Sequence, residues 1–254
     1  MVILPSLNSA AVRAGTRISP LDGGNLNRLF PGDPYGTPTQ KLAHFVEHIL
    51  IARADVVVDL HSGGNSMDYL PLASTHFAPD APIELNQRSL EALKAMRMPR
   101  AMVFETPAGP GPTSDAAKRQ GALFFSGEYG GCGAVSQDTL ARTERALRGL
   151  LGYLDVMDVP RFAPVESNLL ALPPPHVHAY APVDGVFVAQ RAMGDWITRG
   201  EVIGLIYTLE RPEHPALEIR SEDTGLLICQ RHPARVEAGD FLAHLAQPVD
   251  WPSS

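Results

Sequence analysis

Four segments of this chain carry side chains whose types and spacing could do chemistry. The first is VVVDLHSGG at 56–64, where an apolar run ends in His61 and small residues follow. In open α/β sheets ligands bind in the crevice outside the carboxyl ends of the strands. His61 therefore stands where a metal or a substrate would be held, and Ser62, Gly63 and Gly64 leave room around it. The blander reading is a histidine that caps the strand with a hydrogen bond. The second is GGNLNRLFPG at 23–32, a loop by its Gly, Asn and Pro content. Asn27 and Arg28 are adjacent polar groups there, and the planar fork of an arginine matches two carboxylate oxygens. A structural arginine paired with a nearby acid would look the same.

The third segment is FFSGEYGGCG at 124–133, with Glu128 just past an apolar run. A carboxylate there could act as a general base if burial suits its pKa to the work; a surface turn acid is the alternative. Glu105, in VFETPAGPG, is its rival at the end of the preceding strand. The fourth is HFVEH at 44–48, which matches one metallopeptidase pattern. In an α-helix His44, Glu47 and His48 fall opposite Leu42, Val46 and Ile49, on a solvent face. A site also needs a further ligand and a cavity, so a solvated helix face is expected. Cys132 has no recognisable histidine partner and reads as a bystander thiol.

These residues need elements to position them. Val2–Leu4 read as a buried strand, so the chain is expected to begin within a domain. Helical periodicity covers 39–52, with Leu42, Phe45, Val46, Ile49 and Leu50 on one face. Val56, Val57, Val58 and Leu60 form an apolar run, as in strands buried on both sides of a parallel sheet. Residues 80–97 read as a helix with Asp80 as a possible cap. Residues 101–104 and 122–125 are short strands, and 137–156 a long amphipathic helix capped by Ser136. Such alternation predicts an α/β sheet with helices on both faces. A Pro-rich linker follows at 158–176. Beyond it, from 177 to 254, short β runs alternate with turns at Asp184–Gly185, Gly194–Asp195, Thr224–Gly225 and Gly239–Asp240. This is a small all-β domain with a quasi-repeat. The expected domains are thus 1–157 and 177–254.

Composition narrows the function. The 254 residues are 44% hydrophobic and 19% charged, with a net charge of −7. No basic run marks a nucleic-acid partner, and no stretch approaches the ~20 apolar residues of a spanning helix. The N-terminus has no secretory pattern. Cys132 and Cys229 are the only cysteines, which fits a reducing, cytoplasmic setting.

Taken in order, PSLNSAAVRAGTRISPLDGGNLNRLFPGDP at 5–34, ARADVVVDLHSGG at 52–64, SGEYGGCG at 126–133 and the glycine-punctuated tail from 182 resemble the succinylglutamate desuccinylase and aspartoacylase family. The likeness is nearest to its N-acetyl-diaminobutyrate deacetylase branch. The resemblance implies a zinc-carboxypeptidase-like mixed sheet with a small β domain appended. It implies a zinc-dependent hydrolase of the amide bond in a small N-acyl amino acid. His61 would then be a zinc ligand and Glu128 the carboxylate that activates water and hands its proton to the leaving amine. Arg17 would polarise the scissile carbonyl, and Asn27 and Arg28 would hold the substrate carboxylate. The family's other two ligands come from a His-x-x-Glu motif ahead of the strand at Val2, and none stands there. The resemblance also implies that the first strands of the sheet would lie ahead of Val2. The chain is therefore expected to be short at its N-terminus, with one of three zinc ligands and doubtful activity. The alternative is a catalytically dead remnant that binds a small ligand or a protein. The tail is also similar to biotinyl and lipoyl carriers, but no lysine follows Lys118. It is expected instead to shape the active site or to form a homo-oligomer contact.

Overall fold

The computed structural model describes residues 1–159, 165–172, 178–210 and 213–251. Among the described residues the α-helices α1 (Ser9–Ala14), α2 (Pro38–Phe45), α3 (Ile83–Ala95), α4 (Thr113–Arg119) and α5 (Gln137–Tyr153) are interspersed with strands β1 (Val56–His61), β2 (Met67–Tyr69), β3 (Leu72–Phe77), β4 (Arg100–Glu105) and β5 (Leu123–Glu128). The later strands are β6 (Asn168–Ala171), β7 (His178–Tyr180), β8 (Gly185–Ala189), β9 (Trp196–Ile197), β10 (Val202–Tyr207), β11 (Leu217–Arg220), β12 (Gly225–Arg231), β13 (Arg235–Val236) and β14 (Phe241–Pro248). A 10-stranded sheet runs β1-β5-β3-β4-β6-β14-β12-β2, with β7 on β14 and β9 on β12; a 4-stranded sheet runs β11-β10-β8-β13. The larger sheet is mixed: β4 and β6 are parallel, β6 and β14 antiparallel. The α/β architecture with an additional antiparallel sheet is the one the alternation predicts.

The chain packs as two units. One comprises Met1–Asp59, Thr75–Glu91 and Phe104–Ser126. Its core joins Phe30, Val46, Ile51 and Phe124 to Ala43, Ala116, Ala117 and Ala122; the alanines let helical segments approach closely. The other comprises Leu60–Ser74, Ala92–Val103 and the chain from Gly127 onward. Phe187, Ile197, Ile203, Ile206, Leu227, Val236 and Leu242 form a core there.

Local signals explain most boundaries. Ser136 caps α5 by accepting from the Thr139 N–H, as expected. Thr37 caps α2 in a capping box with Gln40, followed by Pro38 at the first helical position. The β tail keeps its quasi-repeat through exchanged pairing. Gly225 of β12 opposes Ile197 of β9, and Gly185 of β8 opposes Val236 of β13. Each glycine-led strand thus pairs with the short strand of the other half.

Five expectations change. Val2, Ile3 and Leu4 are exposed and form no strand, because no described strand offers them a ladder. β1 stands at the end of the sheet order, not at its centre. Its Val58 and Leu60 are accordingly exposed. α3 begins at Ile83, three residues beyond Asp80. Residues 168–171 of the expected linker are β6, paired with both β4 and β14; Pro160, Pro164 and Pro173–Pro175 lie outside the described residues.

The fifth change concerns HFVEH. Past Phe45 the helix winds on as a π-helix over Val46–Leu50. The buried face runs through Thr39, Ala43, Val46 and Glu47, while Phe45 and Ile49 are exposed. Glu47 is 1% exposed. It accepts from Arg119 Nε at 2.9 Å and Nη2 at 2.7 Å, and Arg119 Nη1 also donates to the Gly109 carbonyl. A carboxylate can sit on an apolar face only when a cation and hydrogen bonds replace its water. The His44 and His48 rings lie 4.4 Å apart, tilted by 50°.

Burial raises the Glu47 pKa, but the bonds and charge of Arg119 outweigh it and the net shift is downward. A lowered folded pKa stabilises fully above the ordinary glutamate value of about 4.3, and that stability is lost as pH falls through the folded value. Thermal melts between neutral pH and pH 3 should therefore show a steep acid limb in wild type and a shallower one in Glu47→Gln. Glu47→Ala, which leaves Arg119 unpaired, should cost about 3 kcal/mol at neutral pH. Equal acid limbs would show that the ion pair is not the titrating element.

Candidate functional site

Two of the expected site residues end neighbouring strands. His61 closes β1 and Glu128 closes β5. Just past these ends the backbones stay laced: Tyr129 N–H donates to the His61 carbonyl at 2.9 Å and Gly63 N–H to Gly130 at 2.9 Å. Gly133 N–H donates to Gly64 at 2.7 Å and Cys132 N–H to Met67 at 3.0 Å. The segments after His61 and after Glu128 are thereby held side by side. Both site residues are half-buried, and the Oε2 atom of Glu128 is shielded from solvent. Glu105, the rival, is exposed at the end of β4.

The glycines here are required by close approach. A Cβ on Gly63 would lie 2.2 Å from the Met67 carbonyl oxygen, and one on Gly131 only 1.9 Å from it. The same carbonyl accepts from Cys132, whose φ of 59° is left-handed, a conformation costly for any residue but glycine. The Cys132 thiol pKa is raised by burial, and then by the charge and hydrogen bond of Asp68. A raised pKa opposes thiolate formation, so Cys132 does not read as a nucleophile. Burial likewise pushes the Cys229 thiol up.

Tyr129, which sequence reasoning passed over, is buried beside Glu128. Burial and then the Glu128 charge raise its phenol pKa, keeping it protonated. Its hydroxyl has no hydrogen-bond partner among the described residues.

The other three site residues lie in the Met1–Asp59 unit. Gly15 ends α1 in a left-handed cap, and Thr16 Oγ1 donates to the Ile18 carbonyl at 2.7 Å. Arg17 between them is exposed. Asp22 pins the next turn: its carboxylate accepts from Gly24 N–H at 3.0 Å and from Thr39 N–H and Oγ1, both at 2.7 Å. These bonds, the Thr39 pair foremost, hold its pKa well below the usual carboxylate range. A 3-10 turn then carries Leu26–Arg28.

Asn27 Oδ1 accepts from Thr113 N–H at 2.7 Å and Thr113 Oγ1 at 2.9 Å. Arg28 is exposed and its Nη1 donates to the Asn27 carbonyl at 2.6 Å. Among the described residues no carboxylate pairs with Arg17 or Arg28. That disfavours the reading of Arg28 as a structural ion-pair partner. Asp22 and Thr113 escaped the sequence because their partners lie on other segments, and Tyr129 because its burial is set by the fold. Only the PTSD phrase at 112–115, where α4 begins, could have pointed to Thr113, as a helix start.

A catalytic zinc takes about three protein ligands and a water. Among the described residues no group of three or more His, Cys, Asp or Glu side chains is placed to hold a metal ion. The described residues therefore do not fit a zinc site as they stand. HFVEH supplies none either, since Glu47 is committed to Arg119. No helix among the described residues is long and apolar enough to cross a membrane.

Residues 1–154 match the family model of the succinylglutamate desuccinylase/aspartoacylase catalytic domain. Over 98% of its length the chain is 38% identical to the N-alpha-acetyl-L-2,4-diaminobutyric acid deacetylase of Halomonas elongata, covering 73% of that protein. Among solved structures, the product-bound ectoine utilization protein EutE of Ruegeria pomeroyi superposes with a TM-score of 0.89 at 30% identity. That match covers 96% of this chain and 74% of that one. A succinylglutamate desuccinylase from a Silicibacter species gives a TM-score of 0.90 at 30% identity, covering 97% and 74%.

Gly131→Ala should cost about 3 kcal/mol or more, because Met67 cannot move without breaking the ladder. Tyr129→Phe should leave stability unchanged or raise it by up to about 1 kcal/mol, since a buried hydroxyl without a partner is a liability. Denaturant titration of the two variants checks both. A tolerated Gly131→Ala would show that the loop is not held as tightly as described.

Proposed function

Because the chain belongs to the succinylglutamate desuccinylase and aspartoacylase family, we propose that it hydrolyses the amide bond of an N-acyl amino acid, of the kind named for its Halomonas relative. The observation that carries this reading is Glu128 with a shielded carboxylate oxygen at the end of β5, laced to the end of β1 at His61. In this role Glu128 takes a proton from the attacking water. The new C–O bond forms, the C–N bond breaks, and Glu128 returns the proton to the leaving amine. Arg17, which pairs with no carboxylate among the described residues, is suited to stabilise the developing oxyanion. Asn27 and Arg28 are suited to hold the substrate carboxylate through hydrogen bonds with opposite charge. His61 is the residue we assign to a metal, but a zinc site would need further ligands that no described group supplies. The steps assigned to Glu128 and Arg17 do not depend on that assignment. We place the reaction in the 1–157 part of the chain and give the 177–254 β part a shaping role, in a cytoplasmic protein.

Acetate release from N-alpha-acetyl-L-2,4-diaminobutyric acid tests the proposal, with and without added zinc. Wild type should turn over, and Glu128→Gln should lose at least about a hundredfold in kcat with little change in substrate affinity. Binding without turnover in wild type, with or without zinc, would overturn the hydrolase and leave a ligand-binding module. Equal rates in wild type and Glu128→Gln would remove Glu128 from the mechanism.

A further inference from the structure

We infer that Thr113 is a positioning residue that fixes the amide of Asn27, so that Asn27 can offer an incoming ligand only its NH2 group and selects a carboxylate at that position. The inference rests on the carboxylate-binding role proposed for Asn27. Its geometry is independent of that role.

The backbone N–H of Thr113 can only donate. Lying 2.7 Å from the Asn27 side chain, it requires the facing atom to be the amide oxygen. The Thr113 hydroxyl donates to the same oxygen at 2.9 Å. Two donors on one side settle which way the amide is turned, a choice that an asparagine otherwise leaves open. Nδ2 is then directed away from Thr113, and it donates to no described residue. Turning the amide over would break both bonds and set an NH2 group against two donors.

The neighbouring cation is tethered by the same residue, since Arg28 Nη1 donates to the Asn27 carbonyl. Asn27 therefore accepts with both of its oxygens internally and presents only N–H outward, next to a guanidinium that has no carboxylate partner among the described residues. A carboxylate can only accept, so it matches this surface. A carboxamide carries donors of its own and matches it poorly. Selection against the uncharged analogue then comes from donors left facing donors.

Thr113 is the first residue of α4 and follows Pro112, whose ψ is 161°. Proline is well tolerated at such a position, and the extended backbone of Pro112 accepts a following proline. Thr113→Pro thus removes both donors with little disturbance. Thr113→Val removes only the hydroxyl, and Thr113→Ser keeps both donors. Asn27→Asp keeps the two accepted bonds but has no NH2.

The experiment is calorimetric titration with N-alpha-acetyl-L-2,4-diaminobutyric acid and with its α-carboxamide, each protein carrying Glu128→Gln so that the acid is bound and not consumed; wild type then means this background. Wild type should prefer the acid. Thr113→Val should weaken binding of the acid about threefold and Thr113→Pro about tenfold, leaving the amide unchanged, while Thr113→Ser binds as wild type. Asn27→Asp should lose the preference for the acid while its melting temperature holds. If Asn27→Asp loses the preference and both Thr113→Val and Thr113→Pro keep it, the positioning role fails and the carboxylate role of Asn27 survives. If Asn27→Asp binds both ligands as wild type does, the carboxylate role fails and takes the inference with it. Should Thr113→Pro not fold, the Thr113→Val and Thr113→Ser pair decides; equal weakening of acid and amide in Thr113→Val would reduce Thr113 to a structural cap.

Discussion

The short ladder beyond the ends of β1 and β5 is the constraint on which the rest of the site depends. Tyr129 N–H on His61, Gly63 N–H on Gly130 and Cys132 N–H on Met67 extend strand pairing into segments that would otherwise be loops. Loops are usually the mobile part of a sheet crevice, and here the backbone is tied before the side chains are considered. The tie has a steric condition. The Met67 carbonyl fills the space that a Cβ on Gly63 or Gly131 would occupy. It also holds Cys132 in a left-handed conformation. Strain of that size, on the order of 1–3 kcal/mol, persists only where surrounding bonds over-determine the backbone. The ladder thus explains why small residues surround two ionisable ones.

The Met1–Asp59 unit solves a different problem with polar side chains. Glu47 is buried, and a buried carboxylate must be matched; Arg119 supplies two hydrogen bonds and the opposite charge. Asp22 stays near the surface but satisfies three donors of two segments. Arg17 and Arg28 are left outside these pairings. A cation kept without a partner costs little in water, and it keeps its full charge for an incoming anion.

The two kinds of polar residue are told apart by burial and not by type. Glu47 and Glu128 are both glutamates in segments that could carry chemistry. One is enclosed and salt-bridged, so its charge serves the fold. The other ends a strand half-buried, with one oxygen shielded, and it is the one to which the hydrolytic role is proposed. In the β tail the same economy of pairing appears in backbone form. Each half of the quasi-repeat lends its short strand to the other, and neither half completes its own sheet.

The sequence by itself determined the α/β alternation, the cap at Ser136, the glycine turns of the tail and the chemical identity of the site residues. These are local properties: an apolar run, a capping hydroxyl or a glycine with positive φ acts within a few residues of itself. The four ordered phrases also carried the family. What only the tertiary structure decided lies between distant segments. Glu47 reads as a surface residue until Arg119, from another helix, is placed against it. Val56–Leu60 reads as a doubly buried strand, because apolar content is the same at the edge of a sheet as at its centre. Asn168–Ala171 reads as linker, since a parallel ladder with β4 leaves no mark on a short segment. Thr113 could not be linked to Asn27 at all, because a hydrogen bond between residues 86 positions apart is set by how the chain folds back. Periodicity reports how a residue sits on its own element, and only packing reports what faces it.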